Sequence, residues 1–231
     1  MPSDTAEALT VTIDDERSVS ALLQVPPNAR ALYVLAHGAG AGMRHPFLTA
    51  VSAGLADRGV ATLRYQFHYM ERGSRRPDPP KLAQAAVRAA VEEAARRMAG
   101  LPLIAGGKSF GGRMTSQAQA EAPLSHVRGL AFLGFPLHPP GKPSQDRAEH
   151  LSRVDVPMLF LQGTRDDFAD LAELRPVVDP LGDRATLTLM DAADHSFHVP
   201  AKSGRKDADV RAELLDAFAD WVDAAVAQRK P

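Results

Sequence analysis

Short apolar runs that alternate with longer Ala- and Leu-rich segments constrain the fold of this chain more than any other feature. Residues 31–36, ALYVLA, are apolar throughout, which is typical of a strand buried on both faces of a parallel sheet. Further strands are predicted at 60–65, 101–105, 129–133, 157–162 and 185–190, helices at about 46–58, 81–99, 113–121, 170–178 and 207–228, and an opening hairpin at 9–13 and 19–25. The alternation predicts an α/β fold with a mainly parallel, twisted sheet and helices on both faces.

The length of 231 residues suits one α/β domain, and we expect residues 1–231 to form a single one. The Pro-rich stretch at 136–144 is short and lies between two predicted strands. We therefore interpret it as a loop within that domain and not as a linker.

Composition excludes several classes of function. The formal net charge of −1 provides no overall basic field, so we do not expect nucleic-acid binding. The absence of cysteine excludes disulfides, thiolate metal sites and cysteine nucleophiles. No run of eighteen apolar residues predicts a membrane span, and the first residues do not resemble a signal peptide, so we expect a cytoplasmic protein. We expect no cofactor, and the sequence favours neither a monomer nor a homodimer.

Residues 107–111, Gly-Lys-Ser-Phe-Gly, match the pattern G-x-S-x-G between a predicted strand and a predicted helix. Such a serine sits on a strained strand-to-helix turn, where the flanking glycines let neighbouring backbone pass close by. This context predicts that Ser109 is a nucleophile and that the Phe110 N–H stabilises an oxyanion at the start of the helix. The structural alternative is a Gly-rich turn with an incidental serine.

A serine hydroxyl needs a base and an acid to act as a nucleophile. In hydrolases whose serine sits on such a strand-to-helix turn, these two residues follow later strands. The strand at 157–162 leads to Asp166 and Asp167, and we favour Asp166 as the acid. The last strand leads to His195, the predicted base. Asp194, His195 and His198 have a spacing that faintly resembles a metal site, but a third ligand is not evident and we predict no metal.

The Gly-rich loop at 37–42, HGAGAG, follows an early strand and is the expected source of a second oxyanion donor. Small residues let its backbone approach a tetrahedral intermediate, so Ala39 is the first candidate and Gly40 the second. The string at 106–109 imitates the end of a phosphate-binding P-loop, but Pro102 stands where that pattern needs glycine.

Several longer strings make the sequence resemble the α/β-hydrolases related to dienelactone hydrolase, and more closely the small KANSL/Tex-type hydrolase family. They are HGAGAGM (37–43), HPF (45–47), ATLRYQF (61–67), AGGKSFGGRM (105–114), LGFPLHPPGKP (133–143), LQGTRDDF (161–168) and DHSF (194–197). The resemblance implies the α/β-hydrolase fold without a large lid domain, and a triad of Ser109, Asp166 and His195. Phe110 stands where the family often has Met, a change that leaves a backbone donor intact.

Together these features predict a serine hydrolase acting on a small-molecule substrate with an ester-type bond, such as an ester, thioester or lactone. Loop position suggests an acyl pocket lined by Phe67, Tyr69, Met70, Phe135, Leu137 and His138. The cations Arg64, Arg72, Lys108 and Arg113 either favour an anionic substrate or are solvated or paired. Two alternatives stay open: a non-catalytic scaffold, since the family's domain also occurs in a chromatin-complex subunit, and an acyltransferase that uses the same triad.

Overall fold

The computed structural model describes residues 6–227, which contain one eight-stranded sheet. Its strands are β1 (Glu7–Thr12), β2 (Ser18–Gln24), β3 (Ala31–Ala36), β4 (Val60–Tyr65), β5 (Leu103–Lys108), β6 (Val127–Leu133), β7 (Met158–Gly163) and β8 (Ala185–Met190). Their order across the sheet is β1-β2-β4-β3-β5-β6-β7-β8. The hairpin strand β2 runs antiparallel to its neighbours, and β3 to β8 are parallel. The predicted mainly parallel sheet with an opening hairpin is confirmed.

Helices cover both faces of this sheet, as the alternation of segments predicts. They are α1 (Pro46–Ala56), α2 (His68–Glu71), α3 (Pro80–Arg97), α4 (Phe110–Glu121), α5 (Leu171–Val178) and α6 (Asp207–Ala227). Side chains of α1 and α6 pack in one apolar cluster, and those of α3, α4 and α5 pack in the cluster on the opposite face. Short 3-10 helices at Asp146–Arg153, Asp179–Arg184 and Ala201–Ser203 complete the connections.

The central strands are buried from end to end. Every residue of β3 and β4 is inaccessible to solvent, including Arg64, whose Nη1 donates to the Thr49 hydroxyl at 2.9 Å. Tyr33 is also fully buried, and its hydroxyl donates to the Ala131 carbonyl at 2.9 Å across the sheet. Burial of each large apolar side chain stabilises the fold by about 1.5–3 kcal/mol relative to exposure.

One sequence prediction placed the end of β5 too early, at residue 105. The strand continues through Gly106 and Gly107 to Lys108, where it pairs with Leu133 of β6. These glycines resemble turn residues in the sequence, but here they extend the strand between two close neighbours. The helix α4 consequently begins at Phe110, three residues before the predicted start at 113.

The carboxyl ends of the parallel strands all lie at one edge of the sheet, where α/β proteins bind ligands. The loops after β3, β5, β7 and β8 therefore meet there. No separate lid domain is inserted anywhere in residues 6–227, in agreement with the prediction. Within the same range, no helix is both long enough and apolar enough to cross a membrane.

Candidate active site

Ser109 occupies the turn between β5 and α4 in a conformation that side chains rarely adopt. Its φ is 50° and its ψ is −114°, and its N–H donates to the Leu133 carbonyl at 3.2 Å. A Cβ atom on Gly111, two residues later, would come within 2.6 Å of the Ala36 Cβ and the His37 carbonyl oxygen. The second glycine of the motif is therefore needed so that α4 can start against β3.

His195 joins the serine to the predicted acid through two hydrogen bonds. Its Nε2 lies 2.8 Å from the Ser109 Oγ, and its Nδ1 lies 2.7 Å from the Asp166 Oδ2. Because an ionised carboxylate only accepts, Nδ1 carries the proton and Nε2 accepts from the serine hydroxyl. The structure thus brings the three residues into one hydrogen-bonded line, whereas Asp167 is exposed and has no hydrogen bond to Ser109 or His195.

Asp166 is held by two donors besides the histidine. Its side chain is fully buried; Oδ2 also accepts from the Gln162 Nε2 at 2.5 Å, and Oδ1 accepts from the Phe168 N–H at 2.8 Å. The Gln162 Oε1 accepts in turn from the Phe135 N–H at 2.9 Å. Gln162 was not predicted as a site residue, although a polar residue near the end of a buried apolar strand is the signal that could have revealed it.

The loop that carries His195 is fixed by the residue before it. The Asp194 Oδ1 accepts from the N–H groups of Ser196 and His198, at 2.7 and 3.0 Å. His198 is exposed and pairs with Asp207, with its Nδ1 2.9 Å from the carboxylate. It therefore belongs to this loop anchor, and no group of three or more possible metal ligands occurs among the described residues.

Burial is the main influence on the protonation of His195. It lowers the pKa of the imidazole, the hydrogen bond to Asp166 raises it, and the positive charge of Lys108 lowers it again. The net direction is downward, so that the neutral form, which can accept a proton from the serine, persists below the ordinary pKa of histidine.

Of the three candidate oxyanion donors, Phe110 and Ala39 differ from Gly40 in the hydrogen bonding of their N–H groups. The N–H groups of Phe110 and Ala39 donate to no other group in the described part of the chain. By contrast, the Gly40 N–H already donates to the Tyr69 hydroxyl at 2.9 Å. Ala39 lines the cavity in front of Ser109, so the structure favours it over Gly40 as the loop donor.

His37 holds this loop in place, a role that the sequence analysis missed. The side chain is fully buried, with Nδ1 2.7 Å from the Gly38 carbonyl and Nε2 accepting from the Phe67 N–H at 3.0 Å. Burial lowers its pKa to about 4, so the ring is neutral and can accept that bond near pH 7. The loop after β3 is thereby tied to the loop after β4.

A cavity of about 290 Å³ opens beside Ser109 and His195. Its lining consists of Gly38, Ala39, Ala41, His45, Phe47, Leu48, Lys108, Ser109, Phe168, His195 and Ser196. A larger groove of about 620 Å³ lies at the opposite edge of the sheet, near the amino ends of β5 to β7, and contains none of the predicted site residues. We therefore take the smaller cavity as the candidate active site.

The structure does not bring the predicted acyl-pocket residues to this cavity. Four of the six, Phe67, Tyr69, Phe135 and Leu137, are fully buried in the core beneath the loops, because aromatic and aliphatic side chains there close the sheet edge. Met70 packs partly buried against the same core, and His138 is 3% exposed with its Nδ1 2.9 Å from the Pro139 carbonyl. The large apolar side chains that line the cavity are instead Phe47 and Leu48 of α1 and Phe168.

The four candidate cations also have different surroundings. Arg64 is buried in β4, and Arg72 is exposed at the end of α2. The Arg113 guanidinium lies 5.9 Å from the centre of the Phe110 ring. Only Lys108 lines the cavity.

Comparison with known proteins agrees with the fold and with the motifs. A family model described as an alpha/beta hydrolase domain matches residues 29–223. A dienelactone hydrolase from Anabaena variabilis shares the fold at 20% sequence identity, with a TM-score of 0.76 and 94% of this chain and 96% of that one covered. A serine hydrolase without lid from Xanthomonas campestris aligns at 21% identity, with a TM-score of 0.72 and 96% of both chains covered. The esterase domain of a Rhodothermus marinus protein aligns at 15% identity, with a TM-score of 0.68, covering 94% and 97% of the two chains. The resemblance drawn from the motifs is confirmed at the level of the superfamily, and the chain belongs to the alpha/beta hydrolase family.

Proposed function

We propose that this protein is a serine hydrolase that cleaves an ester-type bond through Ser109, His195 and Asp166. The observation that carries the proposal is the unbroken hydrogen-bonded line from the buried carboxylate through the imidazole to the serine hydroxyl. A non-catalytic protein on this fold has no need for a buried carboxylate aligned with a strained serine. Both features cost stability, and both suit nucleophilic catalysis.

In the proposed reaction, the Ser109 Oγ attacks the substrate carbonyl carbon while His195 Nε2 takes the hydroxyl proton. The Phe110 and Ala39 N–H groups hold the oxyanion of the tetrahedral intermediate. The imidazolium then gives its proton to the leaving alcohol, thiol or lactone oxygen, and an acyl-serine forms. Water attacks this ester with His195 again acting as base, and the acid is released together with free serine.

Asp166 serves this cycle by keeping Nδ1 protonated and by stabilising the imidazolium when it forms. Its additional donors, Gln162 and the Phe168 N–H, hold the carboxylate in place. The Phe168 ring lies 4.3 Å from the imidazole, centre to centre, and limits how far the histidine can turn.

The cavity supports a small, largely apolar acyl or alcohol group. Phe47, Leu48 and Phe168 are large apolar residues in its lining, and a volume of about 290 Å³ holds a short chain or a single ring. The solved structures with this fold include a dienelactone hydrolase and an esterase domain, which makes small esters and lactones the first compounds to test.

The proposal is tested with p-nitrophenyl acetate, butyrate and octanoate, and with a five-membered lactone. We expect wild-type protein to hydrolyse acetate or butyrate faster than octanoate, and Ser109→Ala to show no hydrolysis above background. Ser196→Ala is the matched control, because Ser196 also lines the cavity but donates no side-chain hydrogen bond to His195. Folded wild-type protein without activity on any of these compounds would favour the scaffold alternative. Product analysis with added alcohol separates hydrolysis from acyl transfer.

A further inference from the structure

Lys108 is a buried cation that the proposed reaction does not use. It immediately precedes Ser109 at the end of β5, and the residue lines the cavity. The terminal amine, in contrast, turns away from solvent and is buried without a hydrogen-bond partner in the described part of the chain. An unpartnered buried ammonium is unfavourable, so its retention beside a reactive serine calls for an explanation.

The amine lies near the imidazole of His195, and both groups are close to Gly134. A Cβ atom built on Gly134 would stand 3.0 Å from the Lys108 Nζ and 3.4 Å from both Cε1 and Nδ1 of His195. Gly134 has a φ of +72°, so glycine suits both the backbone and the space. No side chain from this position separates the two groups. The Phe197 ring, whose centre is 5.6 Å from Nζ, lies against the amine.

Three charged groups therefore act on His195 from three elements of the fold. Asp166, from the loop after β7, and Asp194, from its own loop after β8, both favour the protonated imidazolium. Lys108, from β5, opposes it. At this range and degree of burial, charges interact with little screening by salt.

We propose that Lys108 is a positioning residue that acts on His195 through space, keeping the imidazole neutral and ready to accept the Ser109 proton in mildly acidic conditions. This inference rests on the proposed function for its catalytic meaning, but the electrostatic coupling itself can be measured without any substrate. Lys108 is proposed to act on His195 alone, without touching the reacting atoms.

The coupling has a definite pH dependence. Burial lowers the pKa of Lys108 to about 8, so the amine is charged below that pH and becomes neutral above it. While it is charged, it opposes the protonation of His195, so the neutral histidine persists to lower pH. Removal of the charge raises the pKa of His195, and the loss of activity on acidification then occurs at higher pH.

The direct test is an NMR titration of His195 in protein labelled with 13C at histidine Cε1, with the signal identified by its loss in His195→Gln. Lys108→Met removes the charge and keeps an unbranched apolar side chain. We expect the His195 titration to move upward by roughly one pH unit in Lys108→Met. The exposed Lys81→Met, at the start of α3, is the matched control and leaves the titration unchanged. An unchanged His195 titration in folded Lys108→Met overturns the inference.

Wild-type protein provides a second readout that needs no folded variant. Its His195 signal is expected to show a smaller inflection near pH 8, as the amine loses its proton. Lys108→Gln, a second neutral variant, is expected to lack this inflection. If wild-type protein shows no inflection between pH 7 and pH 10, the coupling is refuted.

The same variants separate this inference from the proposed function. The rate at which a fluorophosphonate modifies Ser109 depends on neutral His195. The pH at which this rate is half its maximum is expected to move upward in Lys108→Met, together with the NMR titration. If wild-type protein is never modified but the NMR shift occurs, the proposed function fails and the coupling stands. If modification occurs with the same midpoint in both proteins, the coupling fails and the proposed function stands.

Discussion

The strained backbone of Ser109 predicts that glycine is more stable than alanine at this position, the reverse of the usual order. Ser109→Ala and Ser109→Gly both remove the hydroxyl and its bond to His195, but only glycine adopts a φ of 50° and a ψ of −114° without steric conflict. A side chain held in such a region costs about 1–3 kcal/mol. Glycine loses about 0.5–1 kcal/mol through the greater freedom of the unfolded chain. We therefore expect Ser109→Gly to be more stable than Ser109→Ala by about 1 kcal/mol.

Urea unfolding followed by far-ultraviolet circular dichroism measures this difference. Gln117, in the middle of α4, provides the matched pair, because the backbone there is helical and glycine should be less stable than alanine by about 1 kcal/mol. Opposite signs at positions 109 and 117 are the expected result. A Ser109→Ala protein as stable as Ser109→Gly, or more stable, would refute the claim that the serine is held under strain.

Three further predictions concern the acid, the buried His37 and the glycine beside Lys108. Asp166→Asn should lower kcat on a p-nitrophenyl ester by about 10⁴-fold, whereas Asp167→Asn should leave it nearly unchanged; equal losses would contradict the assignment. Burial lowers the pKa of His37 to about 4, so the unfolded chain binds a proton that the folded protein does not between about pH 6.5 and pH 4. Stability present above pH 6.5 is therefore lost on acidification, on the order of 3 kcal/mol for this group, and urea unfolding of a folded His37→Gln at pH 7 and pH 4.5 should show a smaller loss. Gly134→Ala should destabilise by about 1–3 kcal/mol more than Gly141→Ala in the same assay, because the φ is +72° at both positions but only Gly134 has close neighbours; equal losses would count against that contact.

The sheet could be predicted from the sequence because its strands are buried on both faces and read as continuous apolar runs. The bounds predicted for β3, β4 and β8 match the structure. The 3-10 helices at Asp146–Arg153 and Asp179–Arg184 were not predicted, since such short turns carry no extended periodicity. The end of β5 was missed because glycine is read as a turn signal in a sequence, although here it makes room for adjacent strands.

The hydrogen-bonded line at the candidate site was foreseen because strand ends fix where its members lie. Parallel strands bring the residues that follow them to one edge, so chain order alone places Ser109, Asp166 and His195 close together. The choice between Asp166 and its neighbour depends on the shape of a tight turn, which the sequence leaves open. In the structure the Asp166 carboxylate points inward to His195, whereas Asp167 is exposed, which supports the proposal of Asp166 as the acid.

The walls of the cavity could not be predicted in the same way. Phe67 and Phe135 follow strands at the correct edge, but their side chains turn down into the core, because the loops fold over the sheet and need apolar support. Phe47 and Leu48 lie on α1, whose approach to the site depends on how the Gly-rich loop turns. The direction in which a loop side chain points depends on tertiary packing, and no periodic pattern in the sequence indicates it.

The most direct test of the central claim is covalent modification of the serine by a fluorophosphonate. The Ser109 Oγ would attack phosphorus and expel fluoride, leaving a stable adduct that peptide mass spectrometry can place. We predict one adduct on the tryptic peptide of residues 109–113, absent in Ser109→Ala and strongly reduced in His195→Gln. Folded wild-type protein that stays unmodified while a known serine esterase reacts in the same tube would contradict it, as would an adduct found only elsewhere in the chain.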